Sequence, residues 1–424
     1  MATIFALSSG SPPAAIAVIR ISGPQAAAVL AALCGGVPEP RRARLARLTD
    51  PADGMLLDQA LVLWLPGPGN ATGEDCAELH LHGGRAVVAA VERVLADRPG
   101  LRRAEPGEFT RRAFANGRLD LAEAEGLADL LAAETELQRR SALAMAGGAF
   151  SATVEQWRRQ LLELSAAVEA SLDFADEDEV DAAECFTWNI SPLRAEIGDW
   201  LTRPRAEVLR EGFRVVLAGP PNAGKSTLFN ALVGSEAAIT SPIPGTTRDV
   251  VSRPVAIAGL PFLFVDTAGL RDDSGDAIEV IGVERARGEL TRADLVLWLG
   301  PEDELPAGAW NIAAQVDRAD LPAKRSPRHR VSAVSGVGIA ALRSDLAETA
   351  RLALPRPGEA ALNARQHHWL TRVEAALAEA ERAADPLLVA EGLRQARVAF
   401  DALLGRTTTE DMLDALFGRF CIGK

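Results

Sequence analysis

Tyrosine is absent from this 424-residue chain, and lysine occurs only at Lys225, Lys324 and Lys424, so nearly every cation is an arginine. A position that keeps lysine therefore points to a need for the compact ammonium group, which the planar guanidinium does not supply. Cysteine is scarce as well. Cys34, Cys76, Cys185 and Cys421 stand far apart, with no CxxC pair and no histidine cluster beside them. That spacing excludes a disulfide framework and a zinc site as readings of the sequence, and it fits a reducing cytoplasm. No apolar run reaches the roughly 18 residues of a membrane-spanning helix, and no basic segment precedes the apolar N-terminal stretch. Neither a membrane association nor a secretion leader is expected. The last four residues, Cys421-Ile422-Gly423-Lys424, do not match a prenylation box. Basic excess is missing too: a net charge of −13 argues against a surface that coats nucleic acid, because neutralising phosphates needs clustered Lys and Arg. Any RNA contact should be local or supplied by a partner.

What remains is an ordinary globular composition, 48% hydrophobic and 24% charged, in a chain long enough for two or three domains. Residues 1–117 mix short apolar runs with Gly and Pro turns, which predicts an α+β domain. From about residue 118 to 210 apolar residues recur at helical spacing with few breakers, predicting long amphipathic helices. The acidic run 173–184 reads as a solvated helix end. Residues 211–354 alternate strands and helices in the manner of a doubly wound sheet, and helical periodicity resumes over 355–424. Both helical stretches are expected to form one domain into which the α/β unit is inserted.

The strongest motif lies in that insert. Residues 219–227, GPPNAGKST, match GxxxxGK[ST], follow an apolar strand and open a helix, as the motif requires. Backbone N–H groups from Asn222, Ala223 and Gly224 onward can close around phosphates, and the helix N-terminus adds its partial positive charge. Lys225 can reach the outer phosphates, Ser226 can ligate Mg²⁺, and Thr227 completes the turn. A second element, Ser241, Pro242, Ile243, Pro244, Gly245, Thr246 and Thr247, is rich in turn residues; a hydroxyl there can complete the Mg²⁺ shell while a γ-phosphate is present. A third follows an apolar strand: Asp266, Thr267, Ala268 and Gly269, with the Asp behind the metal and the Gly N–H toward the γ-phosphate. Leu270 stands where Ras-like proteins carry the water-positioning Gln, so water must be oriented by another group.

Guanine readers usually carry NKxD after the next strand, the Asp accepting from the guanine N–H groups. The best match is Asp317, Arg318, Ala319 and Asp320, with Asp320 in that role; an alternative register ends at Asp317. Ser332, Ala333 and Val334 begin a stretch like the SAxxGxG loop whose backbone meets the base. Residues 301–311 are barely long enough for a crossover helix, so one helix of the usual domain is expected to be missing or reduced.

Five segments, AIAVIRISGP (15–24), TGEDCAELHLHGG (72–84), PGEFTRRAFANGRLDLAEAE (106–125), the inserted phosphate-binding unit and the terminal RFCIGK (419–424), together resemble the MnmE (TrmE) family of tRNA-modifying GTPases over the whole chain. The resemblance implies a multidomain protein: an α+β folate-binding and dimerisation domain, an α-helical central domain, and an inserted α/β P-loop GTPase domain of Ras-like fold. It implies a homodimer, a heterotetramer with the flavoprotein MnmG (GidA), tRNA contacts mainly through that complex, and GTP, Mg²⁺, K⁺ and a 5-formyl- or methylene-tetrahydrofolate as ligands. By the same resemblance the folate contacts fall on Arg20, Glu78, Arg118 and Lys424. The Mg²⁺ ligands fall on Ser226 and Thr247, and the K⁺ ligands on Asn222, Ser241, Ile243 and Thr246. The water-orienting carboxylate falls on Glu279, with Glu284 its nearby rival, and Cys421 is a candidate participant in catalysis. The implied activity is GTP hydrolysis during modification of carbon 5 of a tRNA wobble uridine. Two other classes stand beside it: a ribosome-assembly GTPase, for which no basic GxxG segment follows residue 350, and a folate-dependent aminomethyl transferase with a regulatory G domain.

Overall fold

A computed structural model of the chain describes residues 2–173, 188–234, 251–267, 288–318, 323–407 and 409–423. It divides into two compact units, Met1–Ala128 with Phe400–Lys424, and Asp129–Ala399. The helical stretch expected over 355–424 is thus shared between them.

The first unit is built on a six-stranded sheet in the order β3-β4-β5-β2-β1-β6, where β1 is Thr3–Leu7, β2 Ile16–Ser22, β3 Arg44–Thr49, β4 Leu56–Leu65, β5 Cys76–His82 and β6 Leu101–Arg103. Neighbours run antiparallel except β1 and β6. Alternation along β2 sends Ala17, Ile19 and Ile21 to one face, where they meet Leu79 and Leu81 of β5 and the buried valines and leucines of helices Ala26–Cys34 and Arg85–Ala96. The opposite face therefore carries Val18 and Arg20, and the antiparallel register sets Arg20 directly across from Glu78. Phe109, from helix Glu108–Ala115, covers part of that face with Ile4, Ala6 and Ala104.

The C-terminal segment closes onto this unit. Phe417, the last residue of helix Glu410–Phe417, and Phe420 in the turn after it bury against Leu121 and Ala124, and Arg111 pairs with both Glu410 and Asp414. Gly107, at φ 68, lies so close that a Cβ would sit 2.2 Å from the Phe417 carbonyl oxygen. A bridge joins Pro106 to Ile422, and Gly423, at φ 96, passes the Leu7 carbonyl with no room for a side chain.

The second unit contains the other sheet, in the order β12-β11-β10-β7-β9-β8, with β7 Phe213–Ala218, β8 Val251–Ile257, β9 Leu260–Asp266, β10 Leu295–Trp298, β11 Trp310–Ala313 and β12 His329–Arg330. All pairs are parallel except β8 with β9. Buried on both faces, the parallel strands read as continuous apolar runs such as FRVVLA and WNIA, whereas the edge strand β8 tolerates Pro254. Connections run to opposite sides from β7, which makes its carboxyl end the switch point where α/β sheets bind ligands. Between β10 and β11 the crossover is a single 3-10 turn, Glu302–Glu304, as the short segment led us to expect.

Helices Glu136–Ala146, Ala149–Asp173, Ser191–Leu201, Ala364–Arg382 and Pro386–Leu403 make up most of the rest. Thr135 and Gln138 form a capping box that starts the first of them, and Gln138 also reaches the Leu209 carbonyl at 2.8 Å. Leu137 enters the core of the parallel sheet, and its N–H donates to the Gly259 carbonyl in the β8–β9 turn. Among the described residues no helix is long and apolar enough to cross a membrane.

Candidate functional site

The phosphate loop leaves β7 at Gly219, whose φ of 146 lets it pass within van der Waals reach of Gly300; a Cβ would lie 2.9 Å from the Gly300 nitrogen. Asn222 takes φ 62, a conformation that asparagine accepts more readily than most residues. Gly224 is the N-cap of helix Lys225–Val233 at φ 89, a conformation that disfavours any side chain, and the Gln315 side chain lies beside it. The result is a turn of backbone at a helix N-terminus, suited to an oxyanion.

Lys225 is buried, and its Nζ donates to the carbonyls of Gly219 at 2.9 Å and Pro220 at 2.8 Å. Those bonds hold the ammonium over the loop, and the chain keeps one of its few lysines there. Ser226 and Thr227 are exposed on the first turn of the helix. Asp266 ends β9 level with Leu217 of β7 and is 3% exposed, while the Thr267 hydroxyl donates to the Leu217 carbonyl at 2.8 Å. A carboxylate at that place, one strand from the phosphate loop, fits a cation held in front of it. No cluster of three metal-ligating side chains occurs among the described residues, so a metal here would draw on hydroxyls, water and phosphate oxygens.

Two further loops lie at the same carboxyl edge of the sheet. Ser332 is fully buried; its Oγ accepts from the Ser335 N–H at 3.1 Å and its own N–H donates to the Val337 carbonyl, leaving Ala333 half-buried and Val334 exposed at the tip. The segment after β11 carries Gln315 at φ 57, with its Nε2 donating to the Asn222 carbonyl at 3.4 Å. Asp317 and Arg318 are exposed just beyond. The sequence singled out neither Gln315 nor its link to the phosphate loop; the signal that could have found it is its distance from the strand end.

Ser241, Pro242, Ile243, Pro244, Gly245, Thr246, Thr247, Ala268, Gly269, Leu270, Glu279, Glu284, Ala319, Asp320 and Lys424 lie outside the described residues, as does most of the acidic run.

In the first unit, Arg20 donates from Nε and Nη2 to one oxygen of Glu78 at 3.1 and 3.0 Å, and the His80 Nε2 lies 3.2 Å from the other oxygen. Burial is the largest influence on Glu78 and opposes its charge, yet Arg20 and His80 together hold its carboxyl below the usual range. The oxygen facing Arg20 already takes both guanidinium bonds, but the one facing His80 keeps a second lone pair, so Glu78 can still accept one donor from a planar heterocycle. Arg118 is anchored elsewhere, its Nε on the Asn70 carbonyl at 3.2 Å and its stem over Gly73. No hydrogen bond or ion pair among the described residues joins it to Arg20 or Glu78. His80 was not among the expected contacts; Cys421 is exposed and free, with its carbonyl facing the Gly107 N–H.

Sequence models of two domains match the chain: the MnmE helical domain over residues 121–421 and the GTP-binding protein TrmE N-terminus over residues 3–118. A curated relative, the tRNA modification GTPase MnmE of Erythrobacter litoralis (strain HTCC2594), is 64% identical over 425 residues that cover 100% of both chains. Its counterpart in Novosphingobium aromaticivorans is 63% identical over 434 residues, 100% of this chain and 99% of the relative. Among solved structures, the G domain of the T. maritima FeoB iron transporter is 27% identical, covers 32% of this chain and 98% of its own, and superposes with a TM-score of 0.24, too partial to bear on the fold.

Proposed function

The chain belongs to the MnmE family of tRNA modification GTPases, and from that premise we propose a potassium-dependent member that works with the flavoprotein MnmG on the wobble uridine of certain tRNAs. It hydrolyses GTP in the course of tRNA modification. The product of the joint reaction is an aminomethyl or carboxymethylaminomethyl group on carbon 5 of the uridine, its one-carbon unit drawn from a 5-formyl- or methylene-tetrahydrofolate.

The observation that carries the reading is the phosphate loop. Its backbone N–H groups and Lys225 neutralise the β- and γ-phosphates, and the burial of Lys225 makes that charge count for more than it would in water. Ser226 and Thr247 would hold Mg²⁺, backed by Asp266. Asn222, Ser241, Ile243 and Thr246 would hold K⁺, and the Asn222 side-chain amide takes no partner among the described residues. When bound, these cations would offset the negative charge that builds up on the departing phosphate. Glu279 orients the attacking water, the role that Leu270 cannot fill.

Arg20, Glu78, Arg118 and Lys424 hold the folate: Glu78 accepts from the pterin edge, and the arginines and lysine meet the glutamate tail. Two chains pair as a homodimer, the complex with MnmG is a heterotetramer, tRNA is engaged mainly through that complex, and the protein works in the cytoplasm. The direct test compares GTP turnover in potassium and sodium buffers. A drop of about tenfold or more in sodium is expected, since one fixed cation at the transition state is worth at least that much. Equal rates would remove potassium from the mechanism, and unchanged turnover in Glu279→Ala would move the water-orienting role to Glu284.

A further inference from the structure

The geometry points to residues 314–317, Ala314-Gln315-Val316-Asp317, as the element that reads the guanine base, with Asp317 as the reading carboxylate and Gln315 as the residue that fastens it to the phosphate loop. This rests on GTP being the nucleotide and places the base contact three residues earlier than a register ending at Asp320.

Register is the first argument. Trp298 of β10 is level with Ala218 of β7 on one side and with Asn311 of β11 on the other. The phosphate loop begins one residue after Ala218, and the segment beyond Ala313 leaves the sheet at that same carboxyl edge. Residues 314–317 are the first to emerge there.

Contacts are the second. Gln315 is held at φ 57, which a residue with a side chain keeps only where its surroundings over-determine it. Its amide donates to the Asn222 carbonyl, and its Nε2 and Cγ lie so near Gly224 that a Cβ would meet them at 2.8 and 3.2 Å. The Val316 N–H donates to the Val331 carbonyl at 3.3 Å, next to the buried Ser332. The Arg318 N–H closes a turn on the Gln315 carbonyl at 2.9 Å. Asp317 therefore stands exposed between two fixed points, one on the phosphate loop and one on the Ser332 loop.

Chemistry is the third. Guanine presents N1–H and the 2-amino group as adjacent donors, which a carboxylate accepts in bidentate fashion if it is held still. The segment has Ala314 and Gln315 where NKxD has Asn and Lys, so discrimination falls on the one carboxylate and on the tie that positions it.

Asparagine at the reading position would accept from N1–H and donate to a C2 carbonyl, the pattern of xanthine. Competition of unlabelled GTP and XTP against labelled GTP, measured on full-length variants, tests the assignment. Asp317→Asn should lose about tenfold or more in GTP affinity and gain about tenfold for XTP, while Asp320→Asn stays within about twofold of the starting protein. The switch appearing in Asp320→Asn and not in Asp317→Asn would overturn the assignment. Failure of the starting protein to bind GTP would instead sink the GTPase reading. Gln315→Ala should weaken GTP and GDP alike by about threefold to tenfold with the GTP-to-XTP ratio and the thermal unfolding unchanged. Gln315→Lys, which also reaches the Asn222 carbonyl, should retain the affinity. Unchanged nucleotide binding in Gln315→Ala would remove its positioning role.

Discussion

At the carboxyl edge of the parallel sheet, Gly219, Gly224 and Asp266 are placed by backbone: strand ends, positive φ values and a helix N-terminus fix where a phosphate can lie. On the antiparallel sheet of the first unit, Arg20 and Glu78 are placed by pairing instead, 58 residues apart in sequence and brought together by the β2–β5 register. The phosphate loop is thus written in one contiguous motif. The Arg20–Glu78 pair depends instead on the alignment of separate strands, in a unit whose C-terminal segment arrives from almost 300 residues away, as the Arg111 pair with Glu410 shows.

The comparison breaks most sharply at Lys225. Replacing it with Ala should lower GTP turnover by about 100-fold or more, the scale on which single groups that stabilise transition-state charge act, with little change in the melting of the first unit. Steady-state phosphate release and thermal unfolding, measured side by side, check both halves. Gly107→Ala is the converse test. Its positive φ and the 2.2 Å approach to the Phe417 carbonyl should cost about 1–3 kcal/mol and loosen the C-terminal segment, read as a lower denaturation midpoint and faster cleavage after Arg419. GTP turnover by the isolated chain should hardly change.

Acid should separate the regions more gently. Burial works against the charge on Glu108, but Arg102, the Glu105 N–H and Arg112 outweigh it and hold the pKa at about 2, down from 4.5. The folded state therefore binds that proton more weakly than the unfolded chain does. The resulting stability is complete above about pH 4.5 and is lost as pH falls toward about 2. Unfolding midpoints between pH 7 and pH 3 should show this decline, and Glu108→Gln should flatten it.

How much of this was legible in the sequence follows the same division. The phosphate loop, Asp266 and the shortened crossover between β10 and β11 could be read directly, because each is set by a short run of residues and its flanking strand. Gln315 escaped because its identity matches no nucleotide-binding motif and only its distance from the strand end marks it. In the first unit the family resemblance singled out Arg20 and Glu78, but only the pairing register shows that they face each other and that His80 shares Glu78. The burial of the terminal segment on Gly107 and Leu7 had no local signal, since a chain cannot reveal from composition which distant surface a tail will meet.

GTP hydrolysis by this chain serves the modification of a tRNA base. The measurement that tests it most directly is mass analysis of the wobble nucleoside after incubating unmodified tRNA with the chain, MnmG, a tetrahydrofolate one-carbon donor and GTP. The account predicts an aminomethyl-type group on carbon 5 of the uridine with the native chain and its loss with Lys225→Ala. Equal modification by the Lys225→Ala chain, or none by the native chain while it hydrolyses GTP, would contradict it.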